Sequence, residues 1–292
     1  MRRIAGGGVT VAIAMLAALP AGAVARPTVA PSTVGGATSV PAGGSKSLTL
    51  TCPGSAVALH AAPVRLPSGV RVAESGPGDD ARRWTLRLAS VAGQARKASA
   101  TLRCVTLQLP SGFSNVTVRV STEARPKLRV PAGSSLAVGL RCPSGYTPTG
   151  QGVGMSTRAV RLVAAVPNRR GWSFRFENNG ESAATANARI RCLQRVVVGT
   201  RGGTSARLTF AVKRVADNTP IRSGKSRATS GSCAPDHFSL GTGISLDRDD
   251  DISLLRSYPF GGREGSWFFR NRGAAEPVKS YLLCLSRASR FR

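Results

Sequence analysis

The sequence is poor in acidic residues, in aromatic residues and in histidine. Asp and Glu number 14 among 292 residues, against 41 Lys and Arg, so the formal net charge is +27. Two histidines exclude a histidine-rich metal enzyme, and aromatic residues at 5% predict cores packed mainly from aliphatic side chains. Hydrophobic residues still make up 41% of the chain, which is enough for ordinary packed cores and argues against a disordered basic protein.

Long hydrophobic runs are also missing. The apolar stretch Val9–Leu19 is about half of what a membrane-spanning helix needs, and no later stretch is long enough either. It follows Met1-Arg2-Arg3 and precedes the small-x-small site Ala23-Val24-Ala25. This order predicts a secretory signal peptide over residues 1–25, with a buried N-terminal helix as the alternative. The mature chain is therefore predicted to be secreted and extracellular, with no stable membrane anchor.

Cysteines recur in the sequence at a regular spacing. Taken as consecutive pairs, the six cysteines are separated by 52, 50 and 51 residues, and each pair encloses one tryptophan. Val40-Pro41-Ala42-Gly43 precedes the first pair and Val130-Pro131-Ala132-Gly133 precedes the second. Self-similarity at a fixed period indicates an internal repeat.

The repeat predicts how the chain is divided. Three modules are placed at residues 39–125, 126–216 and 217–292. Residues 26–38 are rich in Pro, Thr, Ser and Gly, and this composition predicts a flexible leader ahead of the first module.

Strand periodicity dominates each module. Leu136, Val138, Leu140 and Cys142 alternate with other residues, as half-buried strands do, and the sequence around Trp172 alternates in the same way. Short strands between Gly- and Pro-rich turns predict an all-β chain of three tandem small β-sandwich-like modules, each with one internal disulfide. An immunoglobulin topology is not adopted, because that fold places its tryptophan soon after the first cysteine.

The second copy carries the fullest version of the repeated motif. Cys142-Pro143 is followed by Gly150 and Gly152, then by Gly171-Trp172 and Asn178, and finally by Cys192; the first copy lacks the glycine pair and the asparagine. This pattern resembles a module repeated in secreted proteins of high-GC actinobacteria. The resemblance implies a secreted bacterial protein, and it brings no assigned activity, cofactor or ligand with it.

The even number of cysteines in a chain predicted to be secreted indicates disulfide bonds. Six cysteines allow 15 pairings, and the repeat selects Cys52–Cys104, Cys142–Cys192 and Cys233–Cys284. A zinc site is the alternative, but zinc sites use closely spaced Cys and His pairs, which the sequence lacks.

One acidic cluster stands out in the basic chain. Asp247, Asp249 and Asp251 could converge on Ca²⁺, although the glycine and glutamate of an EF-hand loop are absent. The alternative is a solvated loop whose acids balance Arg248 and Arg256. Calcium at this site is the only cofactor that the sequence suggests.

Catalytic motifs are not found. There is no G-x-S-x-G sequence, and His60 and His237 each occur in only one copy, so no catalytic residue is assigned. The Gly150-x-Gly152 and Gly241-x-Gly243 pairs are not predicted to bind phosphate, because no helix follows them. They are predicted to allow a close backbone approach or a bulge.

Five arginines recur beside the motif residues. Arg87, Arg175 and Arg270 each follow a tryptophan by three positions, while Arg103 and Arg191 immediately precede a cysteine. Strand alternation predicts that all five face solvent. If the tryptophan strand pairs with the second-cysteine strand, they form a basic stripe that could bind an anionic polysaccharide or another polyanion. The alternative is that this charge only keeps the protein soluble.

The function predicted from the sequence is that of a secreted, non-catalytic binding or structural protein that contacts anionic cell-wall or surface polymers. Specific nucleic-acid binding is not predicted, because interleaved exposed aromatic residues are missing. The alternatives are an extracytoplasmic hydrolase with its site at a module junction, and an adhesin for a protein partner. A deep polar pocket would favour an enzyme, and a shallow arginine-lined face would favour a polymer binder.

Overall fold

Strands account for the regular structure throughout the part of the chain that the structure describes. The structure is a computed structural model that describes residues 28–108, 113–114, 118–201, 204–209, 212–246, 252–260, 263–273, 276–286 and 290–291. These residues form 22 strands, which confirms the predicted all-β class. No helix in the described ranges is long and apolar enough to cross a membrane.

Three successive sets of six strands share one sheet order. Unit 1 contains β1 (Thr28–Val40), β2 (Ser45–Thr51), β3 (Val57–Arg65), β4 (Val70–Pro77), β5 (Arg83–Ser90) and β6 (Arg96–Gln108). After β7 (Phe113–Ser114), unit 2 contains β8 (Val120–Val130), β9 (Ser134–Arg141), β10 (Tyr146–Met155), β11 (Val160–Pro167), β12 (Gly171–Asn178) and β13 (Ala184–Gln194). After β14 (Val196–Arg201) and β15 (Thr204–Thr209), unit 3 contains β16 (Val212–Ile221), β17 (Ser226–Ser232), β18 (His237–Leu246), β19 (Ile252–Phe260), β20 (Glu264–Asn271) and β21 (Glu276–Ser286), and β22 (Arg290–Phe291) follows it.

Each unit is a sandwich of two three-stranded antiparallel layers. In unit 1, β1-β6-β3 forms one layer and β2-β5-β4 the other. Apolar residues alternate along these strands, so Leu50, Trp84 and Leu102 point from both layers into one core. Units 2 and 3 repeat this order, with β8-β13-β10 and β9-β12-β11 in unit 2, and β16-β21-β18 and β17-β20-β19 in unit 3.

Neighbouring units share sheets. Strand β4 of unit 1 pairs with β10 of unit 2, and β11 of unit 2 pairs with β18 of unit 3, so two sheets have six strands each. Strand β19 of unit 3 contacts β3 of unit 1, which closes the arrangement. Strands β3, β10 and β18 also contact one another at the centre. The three units therefore surround a common centre, and whether they fold as separate modules stays a prediction.

Segments between and after the units also associate. Strands β7, β14–β15 and β22 follow units 1, 2 and 3 respectively, and they form one sheet in the order β22-β15-β14-β7.

Two expectations about chain division are wrong in detail. Residues 28–38 belong to the predicted flexible leader, but they form most of β1 and pair with β6 along its whole length. The predicted starts at 126 and 217 fall inside β8 and β16. In units 1 and 2, the Val-Pro-Ala-Gly sequence marks the turn after the first strand. That strand itself lacks a clear apolar alternation in the sequence.

Candidate functional site

Each unit has one disulfide, which ties its two layers together. Cys52–Cys104, Cys142–Cys192 and Cys233–Cys284 are bonded, with Cα–Cα distances of 5.8, 5.7 and 5.6 Å. The first cysteine of each pair follows the second strand of its unit, and the second cysteine lies in the sixth strand. The predicted pairing is therefore confirmed. Three disulfides are compatible with an extracellular protein.

The tryptophan strand and the second-cysteine strand do not pair. Strand β5, which carries Trp84, pairs with β2 and β4. Strand β6, which carries Cys104, pairs with β1 and β3 in the opposite layer. The geometry on which the basic stripe depended is therefore wrong.

Arg103 and Arg191 are buried, with 3% and 2% of their surface exposed, so the expectation that they face solvent is also wrong. Arg191 donates through Nη2 to the carbonyl oxygens of Gly78, Asp80 and Arg83 at 3.3–3.4 Å. Burial lowers its pKa to about 10, against an opposing effect of Asp80, so it stays charged at neutral pH. Strand alternation failed here because the outer face of β13 is covered by unit 1.

Arg103 makes the matching contacts from unit 1. Its guanidinium donates to Thr33 Oγ1 at 2.9 Å and to Ser239 Oγ of unit 3 at 3.4 Å. Burial lowers its pKa from the ordinary value. In unit 3, the apolar Leu283 occupies the position before the second cysteine and is also buried.

Arg87 and Arg175 also lie at unit junctions. Arg87 Nε is 3.7 Å from Glu74, whose other carboxylate oxygen is 3.3 Å from Arg189 of unit 2. Arg175 donates through Nη2 to the carbonyl oxygen of Leu246 in unit 3, at 2.7 Å. Both side chains are half-buried and take part in contacts between neighbouring units.

Arg270 is exposed but occupies a different register from Arg87 and Arg175. Asn178 and Asn271 make equivalent bonds, since each donates to the carbonyl of the last residue of its unit's first strand. Arg175 lies three positions before Asn178, whereas Arg270 lies one before Asn271. Trp267 therefore occupies the strand position that Phe174, and not Trp172, occupies in unit 2. In the sequence, this difference shows as a shorter spacing from the tryptophan to the second cysteine in unit 3 than in the other two units. The five predicted arginines thus do not form one surface.

A different basic surface lies at the Cys142 end of unit 2, and sequence reasoning missed it. We call it the basic end; it consists of five exposed arginines, namely Arg119, Arg141, Arg169, Arg170 and Arg195. Three backbone hydrogen bonds and one strand pairing bring the segments that carry these arginines to the same end of the unit. Cys142 N donates to Arg170 O at 2.7 Å and Gly171 faces Arg141. Gln194 N donates to Arg119 O, and Arg195 N donates to Gly145 O. These arginines are far apart in sequence, so no local motif revealed them.

Within the described ranges, none of these five arginines forms an ion pair. Unit 1 differs at the same place, because Arg83 faces Asp80 at 3.7 Å and Arg82 donates to the carbonyl of Cys52. The positive charge of the basic end is therefore uncompensated by described carboxylates.

A cavity of about 420 Å³ lies where the three units meet. It is lined by β3 and β4 of unit 1, β10 and β11 of unit 2 and β18 of unit 3. Its apolar wall includes Val72, Val153, Leu162 and Ile244. Its polar lining residues are His60, Ser75, Gln151, Thr242, Arg71, Arg158 and Arg161.

His60 forms part of the inner wall of this cavity and is 3% exposed. Burial, followed by the charge of Arg103, lowers its pKa to about 4, so the ring is neutral at pH 7. The backbone of Gln151 lies near enough to favour the charged form of the ring. Neither ring nitrogen makes a hydrogen bond with another described residue. The ring meets Trp84 edge-on at 5.7 Å.

Glycines occupy the position of His60 in the other two units. A Cβ on Gly150 would overlap the carbonyl oxygen of Leu59, and one on Gly241 would lie 2.7 Å from the carbonyl oxygen of Thr149. The strand register also shifts beside both glycines. The predicted close approach and bulge are therefore confirmed, and they allow β3, β10 and β18 to meet.

The predicted calcium ligands Asp247, Asp249 and Asp251 lie outside the described residues. Within the described ranges, no group of three or more His, Cys, Asp or Glu side chains could hold a metal ion. His237 Nδ1 and Asp236 Oδ1 are 2.6 Å apart. This hydrogen bond lowers the pKa of the exposed Asp236 carboxyl.

No protein-family model matches this sequence, and no curated protein sequence matches it either.

Proposed function

We propose that the chain is a secreted, non-catalytic binding protein that contacts anionic cell-wall or surface polymers through the basic end of unit 2. The observation that carries this proposal is the convergence of five exposed arginines with no described carboxylate partner. Guanidinium groups bind phosphate and carboxylate oxygens in a bidentate manner. The basic end thus replaces the stripe that the sequence predicted.

The compartment is part of the same proposal. A charged start, a short apolar run and a small-x-small site support export of the chain. The three disulfides are compatible with that location. Outside the cell, a basic surface meets polymers that carry phosphate, sulfate or carboxylate groups.

A polymer contact at this site should depend on local arrangement as well as on total charge. The disulfide Cys142–Cys192 and the hydrogen bond between Cys142 and Arg170 hold the arginines on a rigid frame. A fixed cluster of cations releases several counterions at once when it binds a polyanion, so affinity falls steeply with salt.

The proposal is tested by replacing Arg141, Arg169 and Arg170 together with glutamine. Binding to inorganic polyphosphate and to heparin is measured by fluorescence anisotropy over a series of salt concentrations. Affinity falls as salt rises, so the slope of log affinity against log salt is negative. The magnitude of this slope is expected to decrease by about 2 to 3 in the variant, because up to three counterion-releasing contacts are lost.

The matched control replaces three exposed cations of unit 3, Arg222, Lys225 and Arg272, with glutamine. Both variants lose the same charge, and all six side chains lie on the surface. The control should retain nearly the whole salt slope of the unchanged protein. Equal losses in the two variants would mean that net charge alone attracts the polymer, and the proposed site would be rejected.

A further inference from the structure

The central cavity combines apolar walls with positive charge at its mouth. We infer that it is a binding site for an amphipathic organic anion, with the apolar body inside the cavity and a carboxylate held at the mouth by Arg71 and Arg158. This site lies apart from the basic end and does not depend on polymer binding.

The walls select an apolar body. Val72 of β4, Val153 of β10, Leu162 of β11 and Ile244 of β18 bring aliphatic surface from all three units to the cavity. A volume of about 420 Å³ falls within the range of small-molecule sites, which is roughly 300–1,000 Å³. Burying an alkyl chain or ring there removes apolar surface from water on both partners.

The mouth selects an anionic head. Arg158 is exposed. The half-buried Arg71 has an Nε that is shielded from solvent and makes no hydrogen bond to the part of the chain that the structure describes. Arg161 is different, since its Nε donates to Glu177 at 2.8 Å. No Asp or Glu is among the described residues that line the cavity. Burial, followed by the positive charges of Arg158 and Arg87, lowers the pKa of Arg71. A carboxylate bound between Arg71 and Arg158 would relieve the repulsion between these two side chains.

The inner wall presents polar groups without partners. Both ring nitrogens of His60 and the Oε1 of Gln151 are buried and make no hydrogen bond within the described ranges. Buried polar groups normally have partners, and an exception in a native fold commonly marks a site for water or a ligand.

The test uses the mature full-length chain and three probes with a ten-carbon main chain, namely decanoate, decanol and decyltrimethylammonium. Affinities are measured by isothermal titration calorimetry below the micelle-forming concentration. Decanoate should bind about tenfold more tightly than decanol, because its head makes charge-assisted hydrogen bonds. Decyltrimethylammonium should bind more weakly than decanol, because its charge meets Arg71 and Arg158.

Two variants and one control variant locate the site. Arg158→Gln should remove most of the preference for decanoate over decanol. Arg227→Gln, which changes an exposed arginine of unit 3 that does not line the cavity, should leave the preference unchanged. Val72→Phe adds a ring to a half-buried wall residue and should abolish binding of both probes. If that variant fails to fold, the Arg158→Gln comparison still decides the question.

Three results would overturn the inference. Absence of saturable binding by decanoate would mean that the cavity holds water only. Equal affinities for decanoate and decanol would remove the role of the arginines. Undiminished binding by a folded Val72→Phe variant would place the probe elsewhere. Since polymer binding is measured with different probes and variants, it can fail or succeed independently.

Discussion

At the scale of single residues, the centre of the molecule is asymmetric. His60 occupies in unit 1 the position that Gly150 and Gly241 occupy in units 2 and 3. Arg103 and Arg191 reach into neighbouring units, while Leu283 is apolar at the equivalent position. The polar groups at the centre therefore come mainly from units 1 and 2, and this asymmetry gives the cavity its chemistry.

The buried histidine predicts a specific pH dependence of stability. His60 has a pKa of about 4 in the folded protein, against an ordinary value of 6.5, because burial and Arg103 disfavour its charged form. The unfolded chain therefore binds the extra proton first, and the fold loses stability as the pH falls from 6.5 to 4. The total loss at this site is roughly 3 kcal/mol.

The contribution of His60 is isolated by measuring the free energy of unfolding with urea over a range of pH. The unchanged protein is compared with the His60→Ala variant. Alanine keeps the Cβ that His60 already places at this position and removes only the ring. Below pH 6.5, the variant should lose less stability than the unchanged protein. Parallel curves between pH 6.5 and 4 would show that His60 titrates normally.

Residue-level prediction from the sequence succeeded where local chemistry decides the outcome. The cysteine pairing followed from spacing alone. Burial of Arg103 and Arg191 could not be predicted, because alternation distinguishes two faces of a strand without showing whether a neighbouring unit covers the outer one. The basic end was also missed, because its arginines meet only after folding.

At the scale of elements, the meeting of β3, β10 and β18 depends on the absence of side chains at two positions. Gly150 lies in β10 against the backbone of Leu59 and His60 in β3. Gly241 lies in β18 against the backbone of Thr149 and Gly150. A strand that approaches another backbone this closely has no room for a Cβ.

Gly150→Ala should therefore destabilise the protein by about 1–3 kcal/mol, because β10 must move away from β3 to accommodate the methyl group. The matched control is Gly139→Ala in β9, where a Cβ would meet nothing within 4 Å. Both glycines lie in strands without a positive φ. Thermal unfolding of the two variants should differ clearly; equal melting temperatures would show that the centre is loosely packed.

The sequence predicted the positions of individual strands well, with one exception. Alternating apolar residues predicted the strands around Leu136–Cys142 and Trp172, and both are observed. The strand β1 was missed because Pro, Ser, Thr and Gly in residues 28–38 are typical of a linker. Its pairing with β6 supplies a stability that composition does not reveal.

At the scale of the whole molecule, two junctions between units are sheet pairings and the third is a contact without a shared sheet. Strand β3 carries Pro63 where β10 and β18 carry Val153 and Ile244. Proline lacks the backbone N–H that a neighbouring strand would need, so it is suited to a sheet edge. Pro63 has no N–H to donate to β19, which contacts β3 without pairing with it in a shared sheet.

The central claim is that the three units form one structure around a shared centre, and native-state hydrogen exchange tests it most directly. Exchange of amides in β3, β10 and β18 is followed by mass spectrometry on the mature, disulfide-intact chain as denaturant rises. Because each of these strands contacts the other two, their most protected amides should become exposed in a single opening with one free energy. Complete opening of one unit while the other two retain full protection would contradict the account, because units that merely follow one another along the chain would behave in that way.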